Sequence, residues 1–145
     1  MVEVVLGGWD THADNFNQVR TLSQQLDSGW ATLMTELDER GLLESTTILW
    51  MGEFGRTPGI NANAGRDHWN SCYTIMLAGA GLQKGFVYGA SDKMAAYPTV
   101  GQVTPEDLAA TMFDALGMDH EAEIRDALNR PLAISRGKPV HELFA

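Results

Sequence analysis

The stretch NFNQVRTLSQQLDSGWATLMTELDERG, residues 15–41, has the periodicity of one long amphipathic helix. Its large apolar side chains recur every three or four positions, so they share one face of the helix: Phe16, Val19, Leu22, Leu26, Trp30, Leu33 and Leu37. Gly41 follows at the position of a C-terminal cap. We therefore predict a helix over residues 15–40 that packs this face against a core.

Short apolar runs lie on both sides of this helix. VEVVL, residues 2–6, is rich in valine and ends at a pair of glycines, which indicates a buried strand. TTILWM, residues 46–51, is apolar or β-branched throughout and predicts a strand covered on both faces. A strand, a helix and a strand in succession form a βαβ unit with parallel strands. CYTIMLA, residues 72–78, predicts a third strand, so the fold class is α/β.

The C-terminal third of the chain carries a clear helix start. The sequence TPED, residues 104–107, combines an N-cap hydroxyl, a proline at the first helical position and acids in the first turn. An apolar stripe follows and ends at Gly117. We predict a helix over this stretch and a second short helix near residues 120–128.

Length and composition limit the classes of protein to consider. The chain has 145 residues, 44% of them hydrophobic, which predicts one domain over residues 1–145. Ten basic residues against 19 acidic ones give a net charge of -9, which argues against nucleic acid or an anionic membrane as partner. No apolar run reaches the roughly 20 residues of a membrane span. The single cysteine, Cys72, excludes an intrachain disulfide and a multi-cysteine zinc site.

Residues that suit a metal site and acid–base chemistry follow the ends of the first two predicted strands. In an open α/β sheet, ligands bind outside the carboxyl ends of parallel strands. The long glycine- and asparagine-rich loop at residues 52–71 follows the second strand, and a loop of that length in a compact domain is usually functional. We therefore expect six side chains to meet at one edge of the sheet: Asp10, His12, Glu53, Arg56, Asp67 and His68.

Two of these residues have the spacing of a metal-binding pair. Asp10 and His12 are two positions apart, so on an extended chain both side chains point to the same face. His68 offers a second imidazole, and Asp67 and Glu53 offer further carboxylates. Imidazole with carboxylate suits zinc, manganese or iron better than calcium, which prefers oxygen ligands alone.

Arg56 completes the predicted site with a planar set of donors that suits phosphate, sulfate or carboxylate. A metal next to a guanidinium is an arrangement expected where an anionic ester is bound and polarised.

Each of these residues also has a structural interpretation. Asp10 could be a turn or capping residue ahead of the helix, and Asp14 and Asn15 fit helix caps better than ligands. Either histidine alone could be a hydrogen-bonded loop residue, and Glu53 and Arg56 could form a structural ion pair. His120 and His141 have no such neighbours in the sequence, and we predict that both are surface residues.

Several motifs together resemble the C-terminal part of an uncharacterised sulfatase-like family in the alkaline phosphatase superfamily. The segments that carry the resemblance are GGWDTHADNF at 7–16, GEFGRTP at 52–58, GRDHW at 65–69, TPEDLAATMFDALGM at 104–118 and RPLAISRGKPVHELF at 130–144. The resemblance implies a three-layer sandwich with a mainly parallel sheet flanked by helices, of which residues 1–145 would be the C-terminal portion. It also implies an exported protein.

The same resemblance implies a two-metal phospho- or sulfo-ester hydrolase, with Asp10, His12 and His68 at one metal. Glu53 would stand at the aspartate of the second metal's Asp-His pair, but Phe54 occupies the position of its histidine. The segments with the nucleophile and a further metal-binding aspartate have no counterpart in this chain. The resemblance therefore implies weak or no ester hydrolysis by these 145 residues alone.

From residues and resemblance together we expect a metal-dependent phospho- or sulfo-ester hydrolase-like domain. Glu53 and Arg56 would be catalytic, and Asp10, His12, Asp67 and His68 would hold a divalent ion, with zinc or manganese favoured over calcium or magnesium. An anionic small molecule or a sulfated or phosphorylated glycan would be the partner, and an open sheet edge would allow self-association. The alternative is a degenerate, non-catalytic domain that binds a metal, an anion or a glycan, as Phe54 suggests.

Overall fold

The computed structural model describes residues 1–145 and contains two α-helices and eight short strands. Helix α1 spans Asn15–Glu39 and helix α2 spans Pro105–Ala115. The strands are β1 (Thr47–Trp50), β2 (Gly55–Arg56), β3 (His68–Trp69), β4 (Met76–Gly79), β5 (Ala90–Ser91), β6 (Pro98–Val100), β7 (Glu123–Arg125) and β8 (Pro131–Ala133). They form four separate two-stranded antiparallel sheets, β1 with β4, β2 with β3, β5 with β6 and β7 with β8.

Helix α1 confirms the helix predicted over residues 15–40. Its apolar stripe is only partly covered, because Phe16 remains 59% exposed and Leu33 remains 43% exposed. The helix ends at Glu39, and Gly41 follows in a left-handed backbone conformation with φ of 66° and donates its N–H to the carbonyl oxygen of Asp38. Glycine adopts this conformation without the steric strain that a Cβ would bring.

The predicted parallel βαβ unit is wrong. Residues 2–6 form no strand, although β1 lies within the predicted run at 46–51. The only strand that pairs with β1 is β4, and the two run antiparallel with Thr47 opposite Gly79 and Trp50 opposite Met76. β4 begins at Met76, four residues later than predicted at 72. The segment between β1 and β4, which carries β2 and β3, reverses the chain direction, so the paired strands need no crossover helix.

Two further fold predictions are corrected. The three-layer sandwich with a mainly parallel sheet is wrong, since every paired strand is antiparallel and no sheet exceeds two strands. The helix near 120–128 is also wrong, because β7 and β8 form a hairpin there. The turn of this hairpin is held by Asp126, whose Oδ1 accepts the N–H groups of Leu128 and Arg130 at 2.9 Å each. An Asp that hydrogen-bonds the backbone two residues on favours a turn over a helix.

Helix α2 begins as the sequence predicts. Thr104 and Asp107 form a reciprocal capping box, in which each side chain accepts the backbone N–H of the other residue. The C-terminal tail then packs across this helix start. Ser135 Oγ donates to the carbonyl oxygen of Glu106 at 2.9 Å, and the Lys138 N–H donates to Asp107 Oδ1 at 2.8 Å.

The chain has a small core for its length. Eight of 145 residues are buried, and the hydrophobic ones among them are Ala110 and Val140, in α2 and the tail that packs on it. The accessible surface is 10425 Å². A compact folded monomer of 15.8 kDa exposes about 7,300 Å². Much apolar surface therefore faces solvent. Neither helix combines the length and the apolar composition needed to cross a membrane.

Two glycine substitutions should change the free energy of unfolding in opposite directions, one through the docking of the tail and one through helix propensity. A Cβ on Gly137 would collide with the backbone of Glu106, so Gly137→Ala should lower the free energy of unfolding by about 1–3 kcal/mol. Gly29 lies inside α1 with open space around it, so Gly29→Ala should raise the free energy of unfolding by roughly 0.5–1 kcal/mol. Urea unfolding followed by circular dichroism measures both, and a neutral Gly137→Ala would contradict the docking of the tail.

Candidate metal centre

Two segments far apart in sequence are joined by backbone hydrogen bonds just before helix α1. The N–H of Asn15 donates to the carbonyl oxygen of Ala64 at 2.9 Å, and the N–H of Asp14 donates to that of Asn63 at 3.0 Å. The N–H of Arg66 donates back to the carbonyl oxygen of Thr11 at 3.0 Å. This pairing holds residues 61–66 of the long loop against residues 11–15.

Asn61 connects the loop to the site, and sequence reasoning did not identify it. Its Nδ2 donates to the carbonyl oxygen of His12 at 3.0 Å and to Asp67 Oδ1 at 3.1 Å. Its Oδ1 accepts the N–H groups of Asn63 and Gly65, both at 2.9 Å. The signal in the sequence that could have identified Asn61 is its position two residues before Asn63 in a glycine-rich loop, a pattern typical of an Asx turn.

The residues at the start of α1 have structural roles. Thr11 is 1% exposed, and its hydroxyl donates to Asn15 Oδ1 at 2.6 Å. Asp14 occupies the N-cap position that the sequence predicts, but its side chain makes no capping hydrogen bond. Its Oδ1 accepts from Asn17 Nδ2 instead, at 2.7 Å. The backbone pairing with the loop, rather than side-chain capping, therefore fixes the start of the helix.

Asp10, His12 and His68 converge on one point. Asp10 Oδ1 lies 3.0 Å from His12 Nε2 and 2.9 Å from His68 Nε2, and the two imidazole nitrogens are 3.2 Å apart. Asp10 and His12 come from the segment before α1, whereas His68 is on β3, where it pairs with Arg56 of β2. All three residues are exposed.

Asp67 lies on the other side of the His12 ring. Its Oδ1 accepts a hydrogen bond from His12 Nδ1 at 2.7 Å. This bond, followed by the one from Asn61, holds the pKa of the Asp67 carboxyl below its ordinary value of 3.8. An ionised carboxylate only accepts, so Nδ1 of His12 carries a proton and Nε2 is the nitrogen that faces Asp10 and His68.

Arg56 lies beneath the cluster and is mostly buried, with a side chain 17% exposed. It donates to Asp10 Oδ1 at 2.5 Å and to Glu53 Oε1 at 3.1 Å. The hydrogen bond from Arg56, and next that from His68, lower the pKa of the Asp10 carboxyl from 3.8 to about 2. The ion pair between Glu53 and Arg56 that the sequence left open is therefore present, and Arg56 also keeps Asp10 ionised.

Phe54 packs between these groups. Its ring centroid is 4.6 Å from that of His68, and the Arg56 guanidinium lies 5.7 Å from the Phe54 ring centroid. Contacts of this kind restrict the orientation of an imidazole and stack a guanidinium on an aromatic face. Phe54 thus supports the position of His68 and supplies no ligand atom.

Asp10, His12 and His68 can hold a metal ion. Each offers one ligand atom, and these atoms lie within 4.8 Å of one another. Ligand atoms about 2.0–2.2 Å from one ion are roughly 2.8–3.6 Å apart at octahedral or tetrahedral angles. The separations of 2.9, 3.0 and 3.2 Å fall within that range. An ion bound here has open positions toward solvent, because the protein supplies three ligands.

All six residues predicted for the site lie together in the structure, though not at the edge of a parallel sheet. They differ in placement: Asp10, His12 and His68 form the triad, whereas Asp67, Arg56 and Glu53 contact its members or one another. His141 lies elsewhere, with Nδ1 3.4 Å from Asp114 Oδ2.

The fold and the site define a protein with small antiparallel sheets and a candidate centre of two histidines and one carboxylate. The family model described as "Protein of unknown function (DUF1501)" matches residues 1–144, and the chain belongs to this family. No curated protein and no solved structure matches the chain.

The family match corrects the resemblance inferred from the sequence. DUF1501 covers essentially the whole chain, and nothing found points to a sulfatase-like domain or to the alkaline phosphatase superfamily. That prediction was wrong, and the export that it implied loses its support. Short motifs such as GRDHW contain the residue types of many metal sites, so they indicated the chemistry of a site rather than its family.

Two glycines of the long loop test how the site is assembled. A Cβ on Gly65 would collide with the carbonyl group of His12, so Gly65→Ala should separate residues 61–66 from residues 11–15. Gly59, in the same loop, has open space around its Cβ position, and Gly59→Ala is the matched control. We expect faster amide hydrogen exchange at Asn15 and Arg66 in Gly65→Ala alone. Unchanged exchange at both amides would show that the pairing does not depend on this close approach.

Proposed function

We propose that this chain binds one divalent transition metal through Asp10, His12 and His68 and serves metal-assisted hydrolysis of a phospho- or sulfo-ester. The observation that carries the proposal is the convergence of two imidazole nitrogens and one carboxylate oxygen on a single point. Nitrogen ligands favour zinc or manganese over calcium or magnesium, which prefer oxygen.

The hydrogen-bond pattern supports a cation at this point. Because Nδ1 of His12 donates to Asp67, a neutral His12 presents the lone pair of Nε2 to its surroundings. That lone pair lies 3.0 Å from the anionic Asp10 Oδ1, which is itself an acceptor and takes the hydrogen bond of His68 Nε2 at 2.9 Å. Acceptors at this distance repel one another unless a proton or a metal ion lies between them. The arrangement of Asp67, His12 and ion is also the usual one in metal sites, where a carboxylate orients the ligating imidazole.

The local charge supports a divalent ion in particular. Three carboxylates, those of Asp10, Glu53 and Asp67, lie near the guanidinium of Arg56. With both histidines neutral, the formal charge of the cluster is therefore -2. A divalent ion neutralises this charge, and the remaining carboxylates then orient ligands rather than repel one another.

The surrounding residues suit a hydrolytic role. A bound divalent ion polarises an ester oxygen and makes a bound water more acidic. Glu53 is exposed and close to the triad through Arg56, so its carboxylate can accept a proton from an attacking water. Arg56 supplies the positive charge that an anionic ester needs, provided that the ester oxygen replaces the Glu53 carboxylate at Arg56 Nη2.

A second function, non-catalytic binding of a metal together with an anion or glycan, is favoured by one observation. Both terminal nitrogens of Arg56 already contact carboxylates, so Arg56 holds Asp10 in place as the structure stands. A guanidinium in this arrangement stabilises the metal ligands and contributes less to the binding of an anionic ester. Metal binding is common to the two functions, and hydrolysis separates them.

Metal binding is measured by isothermal titration calorimetry with zinc, manganese, magnesium and calcium. We expect one zinc or manganese ion per chain, and a melting temperature that rises with metal concentration because the ion binds only the folded state. His12→Ala and His68→Ala should weaken binding by more than the roughly 10–100-fold that the loss of an outer partner costs. His120→Ala, outside the cluster, should bind like the wild type, and equal affinity in all four proteins would refute the site.

Hydrolysis is measured with an aryl phosphate and an aryl sulfate on the metal-loaded protein. If the site is catalytic, Glu53→Gln should keep metal affinity within about tenfold and lower kcat by roughly 10²–10⁴-fold, the usual loss for a general base. A metal-loaded wild type without activity toward either ester would leave the non-catalytic binding function as the correct one.

A further inference from the structure

Asn61 lies in the loop between β2 and β3, and every hydrogen-bonding position of its side-chain amide is used. Nδ2 donates to the carbonyl oxygen of His12 at 3.0 Å and to Asp67 Oδ1 at 3.1 Å. Oδ1 accepts the backbone N–H groups of Asn63 and Gly65, both at 2.9 Å. Because a primary amide offers two hydrogens and two lone pairs, these four bonds fix the orientation of the side chain.

The two contacts made by Asn61 Nδ2 restrain both ends of His12. One of them holds the backbone carbonyl group of His12. The other reaches Asp67 Oδ1, the same oxygen that accepts the hydrogen bond from His12 Nδ1 at 2.7 Å. The three residues therefore form a closed ring of hydrogen bonds, in which neither the Asp67 carboxylate nor the His12 imidazole can turn without breaking a bond.

Asp67 depends on this ring for its position. Its side chain is 51% exposed, and its carboxylate accepts hydrogen bonds from His12 and Asn61 alone. Which ring nitrogen of a neutral histidine carries the proton is set by the hydrogen bonds that the ring makes. Loss of the Asn61 contact therefore frees the Asp67 carboxylate to turn away. A neutral His12 can then place its proton on Nε2, the nitrogen that faces Asp10 and His68.

We propose that Asn61 is a positioning residue of the metal centre, whose amide holds Asp67 on Nδ1 of His12 and so keeps Nε2 free to bind the ion. This inference rests on the metal binding proposed above and adds to it a residue that supplies no ligand atom. Outer partners of this kind account for about 10–100-fold in metal affinity.

The two ends of the Asn61 amide have separate roles, so one substitution can distinguish them. Asn61→Asp keeps an oxygen that accepts the loop N–H groups, and it replaces the Nδ2 donor with a second carboxylate oxygen that repels Asp67. The backbone of residue 61 also closes the loop, since its N–H donates to the Gly65 carbonyl oxygen at 2.9 Å and its carbonyl oxygen accepts the Ala64 N–H at 3.1 Å. The loop should therefore stay folded in Asn61→Asp.

The test compares zinc and manganese affinity, by isothermal titration calorimetry, in the wild type, Asn61→Asp and Asn63→Asp. The last is the charge-matched control, because Asn63 contributes only its backbone to the loop. Each substitution adds one negative charge near the site, which by itself strengthens the binding of a cation. We expect Asn61→Asp to weaken binding by about 10–100-fold, and Asn63→Asp to bind at least as tightly as the wild type.

Two further measurements separate positioning from a general loss of structure. Nitrogen chemical shifts of His12, recorded without metal in alkaline buffer where imidazole is neutral, should place the proton on Nδ1 in the wild type. Asn61→Asp should show a larger share on Nε2. Amide hydrogen exchange at Asn15 and Arg66 should be alike in the two proteins, because the backbone pairing of the loop remains.

Three results would overturn the proposal. The first is an Asn61→Asp variant that binds both ions as tightly as Asn63→Asp. The second is a wild-type His12 with its proton on Nε2. The third is faster exchange at Asn15 and Arg66 in Asn61→Asp, because the loss of affinity then follows from an open loop. If the wild type binds neither ion, the metal function fails and the affinity claim fails with it, whereas the hold of Asn61 on His12 is decided by the nitrogen shifts alone.

Discussion

The pairing of residues 61–66 with residues 11–15 is the constraint on which the candidate metal centre depends. Backbone hydrogen bonds join the two segments, and Asn61 extends this pairing to the carbonyl oxygen of His12 and to Asp67. His12 and His68 are 56 residues apart in sequence, so their imidazoles meet only because the loop closes on the start of α1. The centre is thus a product of backbone hydrogen bonding rather than of a sheet edge.

The backbone hydrogen bonds between the two segments matter for the position of the site because so little of the chain is buried. An intramolecular hydrogen bond contributes about 0.5–1.5 kcal/mol on balance, so the few that join the two segments form a modest restraint. A metal ion held by Asp10, His12 and His68 would connect the same two segments a second time. Closing a loop of this length restricts the unfolded chain, and a bound ion would therefore stabilise the fold as well as supply chemistry.

The electrostatics of the site follow from one partly buried cation, Arg56, among exposed carboxylates. Arg56 donates to Asp10 and Glu53, and it keeps the Asp10 carboxyl ionised and available as a ligand. Asp67 fixes the orientation of the His12 ring by accepting a hydrogen bond from Nδ1. The three carboxylates therefore have different roles, although the sequence presents them as equivalent candidates. Asp10 belongs to the triad, Asp67 accepts a hydrogen bond from His12, and Glu53 pairs with Arg56.

The sequence by itself determined the elements whose signals are local. The three- and four-residue spacing of apolar side chains set α1, and TPED at 104–107 set the start of α2. The residue types at six positions predicted a metal site, and three of them, Asp10, His12 and His68, form a group that could hold an ion. Tertiary structure decided what depends on distant pairing. Whether Val2–Leu6 and β1 become neighbours depends on hydrogen-bond partners that a strand pattern does not specify, and here β1 pairs antiparallel with β4. The role of Asn61 could not be predicted from the sequence for the same reason, because its contacts with His12 and Asp67 form only when the loop closes.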